Sequence, residues 1–396
     1  VSAEPPPPPS AGTLVLAGAV LGTTWAAGLR GWMIHMVGPE SSQVHWLSTL
    51  GLVLAPGLVI GALLGLAEHR RRSGGARSWW LTLAPCLFLV ALADPKAGLM
   101  LLLREGIGGG AIGVVLLGLA GGYALSGRGR TWWRRTCGTL AVAGLLLMMV
   151  MASDTAPLES AYGVWVGVYA SSLLAVLMLG CAVPQRIGRP RLVPRRSVAV
   201  GIGAVCGLAW AATLRAFMFE VAGDEAEVQW AGTFVWVLLP GTVIGMLLAW
   251  GEHRRWTGPV RHRRSLVWSP MLFAAVLLQD PLALVGGFDG GIGLAAIAVP
   301  AMCMVGGYAL ARGGSPWLRA VAGLVILSAV PIWALTATDV GGASLSLGSP
   351  HGAWAAVLFW GLLASFSMAA ALPRAASPVV STAVTPPASV VEKGRT

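Results

Sequence analysis

Along the chain, long apolar runs alternate with short polar clusters. Crossing the hydrocarbon core of a bilayer takes about 20 apolar residues of helix. Runs near that length occur at 13–36, 46–67, 79–93, 107–126, 134–152 and 162–183, and again at 197–219, 230–251, 265–279, 291–311, 317–337 and 352–372. The third run of each set is short. The pattern predicts an all-α integral membrane protein of about twelve transmembrane helices. It divides into a Pro-rich disordered lead (1–10), a six-helix repeat (11–184), a basic connection (185–196), a second six-helix repeat (197–373) and a disordered tail (374–396). The lead carries five consecutive prolines and no basic stretch, so the first apolar segment is expected to be retained rather than cleaved.

The halves align directly, as motifs returning in the same order. Pro56-Gly57-Leu58-Val59-Ile60-Gly61 matches Pro240-Gly241-Thr242-Val243-Ile244-Gly245, and Gly121-Gly122-Tyr123-Ala124-Leu125 returns as Gly306-Gly307-Tyr308-Ala309-Leu310. Pro85 and Phe88 match Pro270 and Phe273, Asp154 matches Asp339, and Gly163 and Trp165 match Gly352 and Trp354. Such self-similarity predicts a duplication. An even number of spans per copy makes the two copies parallel.

Composition agrees with the pattern. The 396 residues are 56% hydrophobic and 11% charged, where a soluble domain keeps roughly a quarter of its residues charged. The net charge of +11 would suggest a nucleic-acid partner in a soluble chain. Here all but four of the 27 basic residues fall in every second connection and the tail, which is the signature of topology. It predicts cytoplasmic termini in a cell inner membrane and argues against nucleic acid. Cys86, Cys137, Cys181, Cys206 and Cys303 stand singly in or beside apolar runs, with no metal or disulfide spacing. No cofactor and no metal are expected.

The four remaining basic residues are Arg30, Lys96, Arg104 and Arg215. Charge within a membrane helix is costly and marks function by default. Arg30 and Arg215 are aligned positions, roughly 9 Å from the outer end at about 1.5 Å per residue. They are candidates for a substrate path, with Asp154 and Asp339 as possible buried partners; snorkelling arginines are the structural alternative. Two aligned positions differ between the halves: His35 faces Glu220, and Arg104 faces Asp289. His35 and Glu220 are candidate proton carriers for coupling, or polar residues at the outer interface.

Glu68-His69-Arg70-Arg71 and Glu252-His253-Arg254-Arg255 end the second run of each half. They form either a positive-inside anchor or a cytoplasmic gate of exchangeable ion pairs. Pro56-Gly57 and Pro240-Gly241 lie mid-run, and Pro85 and Pro270 lie in the third runs. They predict kinks, or helix breaks that point to a midplane site. Gly106–Gly110 and Gly290–Gly293 follow no strand and carry no Lys-Ser/Thr, so they predict close helix packing rather than a phosphate loop. Asp94 and Asp280 each precede a proline, as turn-forming residues do.

The topology resembles the major facilitator superfamily, and Gly61-x-x-x-Gly65-x-x-Glu68-x-Arg70-Arg71 loosely echoes that family's basic loop. The loop's characteristic Asp is absent, and the connection between halves is short. A second resemblance rests on Arg30-Gly31-Trp32-Met33 followed by Trp46-Leu47-Ser48-Thr49, and on Arg215-Ala216-Phe217-Met218 followed by Trp230-Ala231-Gly232-Thr233. These elements are similar to those of an uncharacterised family of actinobacterial polytopic membrane proteins, which implies no activity. The expected function is a secondary transporter or exporter of a small polar or anionic molecule, moving between the repeats. The alternatives are a non-transporting membrane subunit that scaffolds a protein partner, and an enzyme acting on a lipid-linked substrate at paired outer carboxylates.

Overall fold

The computed structural model describes residues 9–38, 43–93, 109–188, 195–223, 227–257, 265–278, 292–311 and 314–374. It is all-helical, with no strand among the described residues. Eight helices are long and apolar enough to cross a membrane. They are α1 (Ala11–Val37), α2 (Trp46–Arg72), α5 (Thr131–Met151), α6 (Ala161–Gln185), α7 (Arg196–Ala222), α8 (Trp230–Arg255), α11 (Pro316–Asp339) and α12 (Pro350–Arg374). Shorter apolar helices lie between them: α3 (Ala84–Ala93), α4 (Gly110–Ser126), α9 (Ser265–Leu278) and α10 (Ala295–Leu310).

Their outer faces suit lipid rather than water. Leu16, Leu146, Leu324 and Leu335 are exposed on long helices, and apolar surface on this scale calls for an apolar environment. Exposed tryptophans gather towards the two ends, with Trp79, Trp132, Trp133, Trp268 and Trp317 near the arginine-rich end and Trp46 and Trp230 near the opposite one. Indole rings favour such interfaces because one edge is polar and the body is apolar.

α1 packs on α2, and α7 on α8, through glycine. A β-carbon at Gly18 or Gly22 would strike the carbonyl of Gly61 or Gly57, and one at Gly61 would strike that of Gly18. The aligned Gly203, Gly207, Gly241 and Gly245 repeat the arrangement between α7 and α8. Backbones this close gain dispersion contacts that larger residues would prevent, which matters where lipid removes the hydrophobic drive for helix pairing. The Gly-Gly-Tyr-Ala-Leu motif acts likewise. Gly121 and Gly122 admit Met178 and Cys181 of α6, while Gly306 and Gly307 admit Ser367 and Ala370 of α12.

The Pro-Gly pairs do not interrupt α2 or α8. Each helix starts with a π segment, Trp46–Leu54 or Trp230–Leu238, and changes to α-helix at Ala55 or Leu239, one residue before the proline. Pro56 and Pro240 thus sit at the π-to-α change inside a continuous helix, directly after Ala55 and Leu239, whose N–H groups bond the Leu50 and Phe234 carbonyls five residues back. Pro85 and Pro270 lie in 3₁₀ helices, Ala84–Ala93 and Ser265–Leu278. At about 2.0 Å per residue a 3₁₀ helix advances further than an α-helix of equal length, so these short third elements reach further than their residue count implies.

Gly61→Val is expected to remove most of the folded protein, seen as loss of the monodisperse peak in detergent size-exclusion chromatography. Gly12→Val, where a β-carbon meets nothing within 4 Å, should leave the peak intact. Equal behaviour of the two variants would sink the glycine-contact account.

Candidate functional site

α1, α6, α7 and α12 form the centre of the molecule. Indole N–H groups fasten it in matching pairs: Trp25 Nε1 donates to the Leu173 carbonyl at 2.8 Å, and Trp210 Nε1 to the Leu362 carbonyl at 3.0 Å. Two further bonds cross the centre. The Tyr169 hydroxyl donates to the Gly28 carbonyl at 2.5 Å, and Trp354 Nε1 to the Ala27 carbonyl at 3.1 Å. Trp165, Tyr169 and Trp354 are fully buried. The centre is closely packed and largely apolar.

At the end away from the arginine clusters, the last turns of α1 and α7 meet the first turns of α6 and α12. The serine caps fix where α6 and α12 begin. Ser160 Oγ accepts from the Gly163 N–H at 3.0 Å, and Ser349 Oγ from the Gly352 N–H at 2.9 Å. This places Tyr162 and His351 in the first turns, at aligned positions of Tyr-Gly-x-Trp and His-Gly-x-Trp. Both glycines are forced, since a β-carbon at Gly163 would strike the Ala156 and Pro157 carbonyls, and one at Gly352 those of Leu345 and Ser346.

His35, Tyr162, Glu220 and His351 converge there. The Tyr162 hydroxyl lies 3.2 Å from His35 Nδ1 and 3.2 Å from the His35 carbonyl. His35 Nε2 faces Glu220 Oε1 at 3.9 Å, and Glu220 Oε2 accepts from His351 Nε2 at 3.0 Å. Side-chain exposure rises from 3% at His35 through 10% at Glu220 to 31% at His351, and Tyr162 is half-buried. Trp165 and Phe219 stand edge-on to the His35 ring at 4.8 and 5.0 Å, while His351 stacks on Trp354 at 5.6 Å. The structure thus brings together the two coupling candidates and adds two partners.

Arg30 and Arg215 are buried but serve a local task. Arg30 Nε donates to Thr49 Oγ1 at 3.1 Å and its Nη2 to the Gln43 carbonyl at 2.9 Å. Arg215 does the same to Thr233 Oγ1 at 3.2 Å and the Glu227 carbonyl at 2.8 Å. Each guanidinium holds the extended segment before a π helix against the preceding helix. That is the physical content of the Arg…Trp-x-x-Thr spacing. Asp339 is exposed, and no ion pair joins it to Arg215 among the described residues. Asp154 ends a 3₁₀ turn, Ala152–Asp154, and its side chain lies outside the described residues.

At the arginine-rich end the repeated carboxylates pair within their own helices. Glu68 accepts from Arg71 at 2.6 and 2.8 Å and from Arg72 at 2.6 Å; Glu252 pairs with Arg255 at 2.8 Å. Arg70 lies over the Trp80 ring at 5.7 Å, and Arg254 over Trp250 at 5.2 Å. His69 and His253 lie among these arginines. Pairs three and four residues apart stabilise a helix end, which fits an anchor. Asp94, Lys96, Arg104, Asp280, Asp289 and Gly290 lie outside the described residues. Among the described residues no group of three or more His, Cys, Asp and Glu is placed to hold a metal ion.

No family model, curated protein or solved structure matches the chain.

Sequence reasoning found His35 and Glu220 because they break the alignment. It missed Tyr162 and His351, although they break it in the same way one helix on. It also missed that Thr49 and Thr233, both essentially fully buried, are the partners of the arginines. Thr49→Val and Thr233→Val are each expected to cost about 1–2 kcal/mol, since each removes a hydrogen bond to a buried charge, with Ser retaining most of the stability. Thermal unfolding in detergent checks this, and an unchanged midpoint would show that the hydroxyls do not hold the guanidiniums.

Proposed function

We propose that the chain is a secondary transporter of the inner membrane, built from two parallel six-helix repeats with cytoplasmic termini and described here with its outer end closed. The single observation that carries this reading is the His35–Glu220 contact. It places a titratable base, buried, against a half-buried titratable acid, between the first helices of the two halves. Ionisable side chains are retained within membrane helices at a cost, and coupling sites are where that cost is repaid. The matched glycine contacts, π segments, Arg–Thr bonds and Trp–carbonyl bonds of the two halves support the duplication. The arginine clusters support twelve spans by the positive-inside pattern.

In this reading the substrate moves between the halves, along α1, α6, α7 and α12. Arg30 stands within Coulombic reach of Glu220, and Arg215 within reach of His35. The guanidiniums give the outer mouth a positive field that favours a small polar or anionic molecule. They act as field and scaffold, with their hydrogen bonds committed to Thr49, Thr233 and the loop carbonyls.

The packed centre favours a second reading, a membrane subunit that carries no substrate and supports a protein partner. Water access separates the two. Thr213, buried beside Gly28 and Tyr169, is replaced by cysteine in a variant whose five native cysteines are alanine. A transporter must open this position to one side in its cycle, so a membrane-impermeant thiol reagent is expected to label it within minutes. Absence of labelling over hours, in a protein that labels fully once unfolded, would sink transport and leave the scaffold reading.

A further inference from the structure

We infer that the His35–Glu220 contact is a proton-binding site and that His351 is the residue through which the proton enters from outside. Its part in transport, and the side that counts as outside, rest on the reading above, whereas the protonation state and the passage through His351 do not.

The argument starts from Tyr162. Its hydroxyl has one proton to donate and lies at hydrogen-bond distance from two atoms of His35. The carbonyl oxygen can only accept, so both bonds are made together only when the hydroxyl proton points to the carbonyl and His35 Nδ1 carries a proton that it donates to the Tyr162 oxygen. That fixes the tautomer. Nε2 is then left as the variable atom. It is buried, it has no hydrogen-bond partner, and the group it faces is Glu220 Oε1. A bare nitrogen lone pair aimed at an ionised carboxylate is repulsive, and burying both without a proton is costly. One proton in the gap resolves this, carried either on Nε2, giving imidazolium opposite carboxylate, or on the carboxyl, which then faces Nε2 as a neutral acid across 3.9 Å. The two forms differ only in where one proton sits.

The surroundings suit a charge that comes and goes. On α1 and α7 the facing charged groups are Arg30 and Arg215; α6 contributes the neutral hydroxyls of Tyr162 and Tyr169, and α12 contributes His351. The edge-on ring of Trp165 completes the box around the imidazole. His351 is the exposed member and donates through Nε2 to Glu220 Oε2. A proton arriving from outside water on His351 Nδ1 lets its Nε2 proton pass to Glu220 Oε2, leaving neutral imidazole as the other tautomer. Half a rotation of the carboxyl about Cγ–Cδ presents that proton to His35 Nε2. One proton enters and one is stored, with no bond to carbon changed.

The test uses the full-length protein in lipid nanodiscs with no substrate present. Side-chain ¹⁵N resonances of the six histidines are recorded by magnetic resonance and assigned by loss of the His35 signals in His35→Gln. Wild type is expected to show His35 Nδ1 protonated, with Nε2 protonated or sharing a proton with the Glu220 carboxyl. Glu220→Gln is expected to convert it to the neutral Nδ1–H form. A wild-type His35 already neutral beside an ionised Glu220 between pH 5 and 8, the range in which an unperturbed histidine changes charge, would overturn the site. His351→Phe keeps a ring on Trp354 but removes the nitrogens. It is expected to slow proton uptake by the pair after a pH jump, read by time-resolved infrared absorption of the carboxyl, on the order of 100-fold, as loss of a positioned proton carrier does. An unchanged rate would overturn the entry route. Thr213 labelling is unaffected by either result, so failure here and failure of the transporter reading are told apart.

Discussion

Everything in this molecule depends on how closely backbones approach where water is absent. Between α1 and α2, glycines on both helices put carbonyl against α-carbon, and α7 and α8 repeat the contact. In lipid this contact cannot be replaced by burying larger apolar side chains, because lipid chains solvate those equally well. The seam therefore fixes the rotation of α1 and α7 about their own axes. With one face of each helix committed to glycine, the opposite face must carry whatever polar residues the centre needs. Trp25, Arg30 and His35 follow on α1, and Trp210, Arg215 and Glu220 on α7.

The polar residues then divide by depth according to the partners they can find. The tryptophans reach helix carbonyls near the packed centre, which satisfies the indole N–H without a water molecule. The arginines, nearer the end, reach back to the extended segments at Gln43 and Glu227, whose carbonyls lack helical partners. The hydroxyls of Thr49 and Thr233 enter the π segments as the fixed points of those bonds. His35 and Glu220 find side chains of the other helices instead, His35 bonding Tyr162 and Glu220 bonding His351, and face each other at 3.9 Å.

Much of this was legible in the sequence, and the missing parts have physical reasons. Apolar run length identified helices and lipid, and the repeated Pro-Gly and Gly-Gly-Tyr-Ala-Leu elements marked contacts that the structure locates on helix seams. The prolines read as kinks because hydropathy carries no information on hydrogen-bond register, so the π-to-α change before Pro56 and Pro240 was invisible. The third elements read as short and are short, at 10 and 14 residues, although only the structure shows the 3₁₀ rise that extends their reach. The partners of Arg30 and Arg215 were invisible because an alignment shows which residues recur but not which backbone carbonyls and hydroxyls lie within their reach. Tyr162 and His351 were overlooked for a different reason: an aromatic and a histidine at a helix start look ordinary until the neighbouring helix is placed against them.

The remaining constraint concerns symmetry. Parallel copies related by an axis along the membrane normal bring equivalent residues face to face on that axis. Identical copies would oppose histidine to histidine or glutamate to glutamate, and two like groups cannot both ionise at short range in a poorly solvated site. An acid facing a base needs two different sequences on one backbone frame. Under the proposed duplication, the two departures from identity, His35 against Glu220 and Tyr162 against His351, are one change seen on two helices. The first gives opposite charges to the facing positions. The second gives the buried histidine a hydroxyl that sets its tautomer and gives the carboxylate an exposed imidazole that connects it to water. The site thereby acquires a direction, running from the buried His35 to the more exposed His351, while the glycine seams, the Arg–Thr bonds and the Trp25 and Trp210 bonds stay matched between the halves.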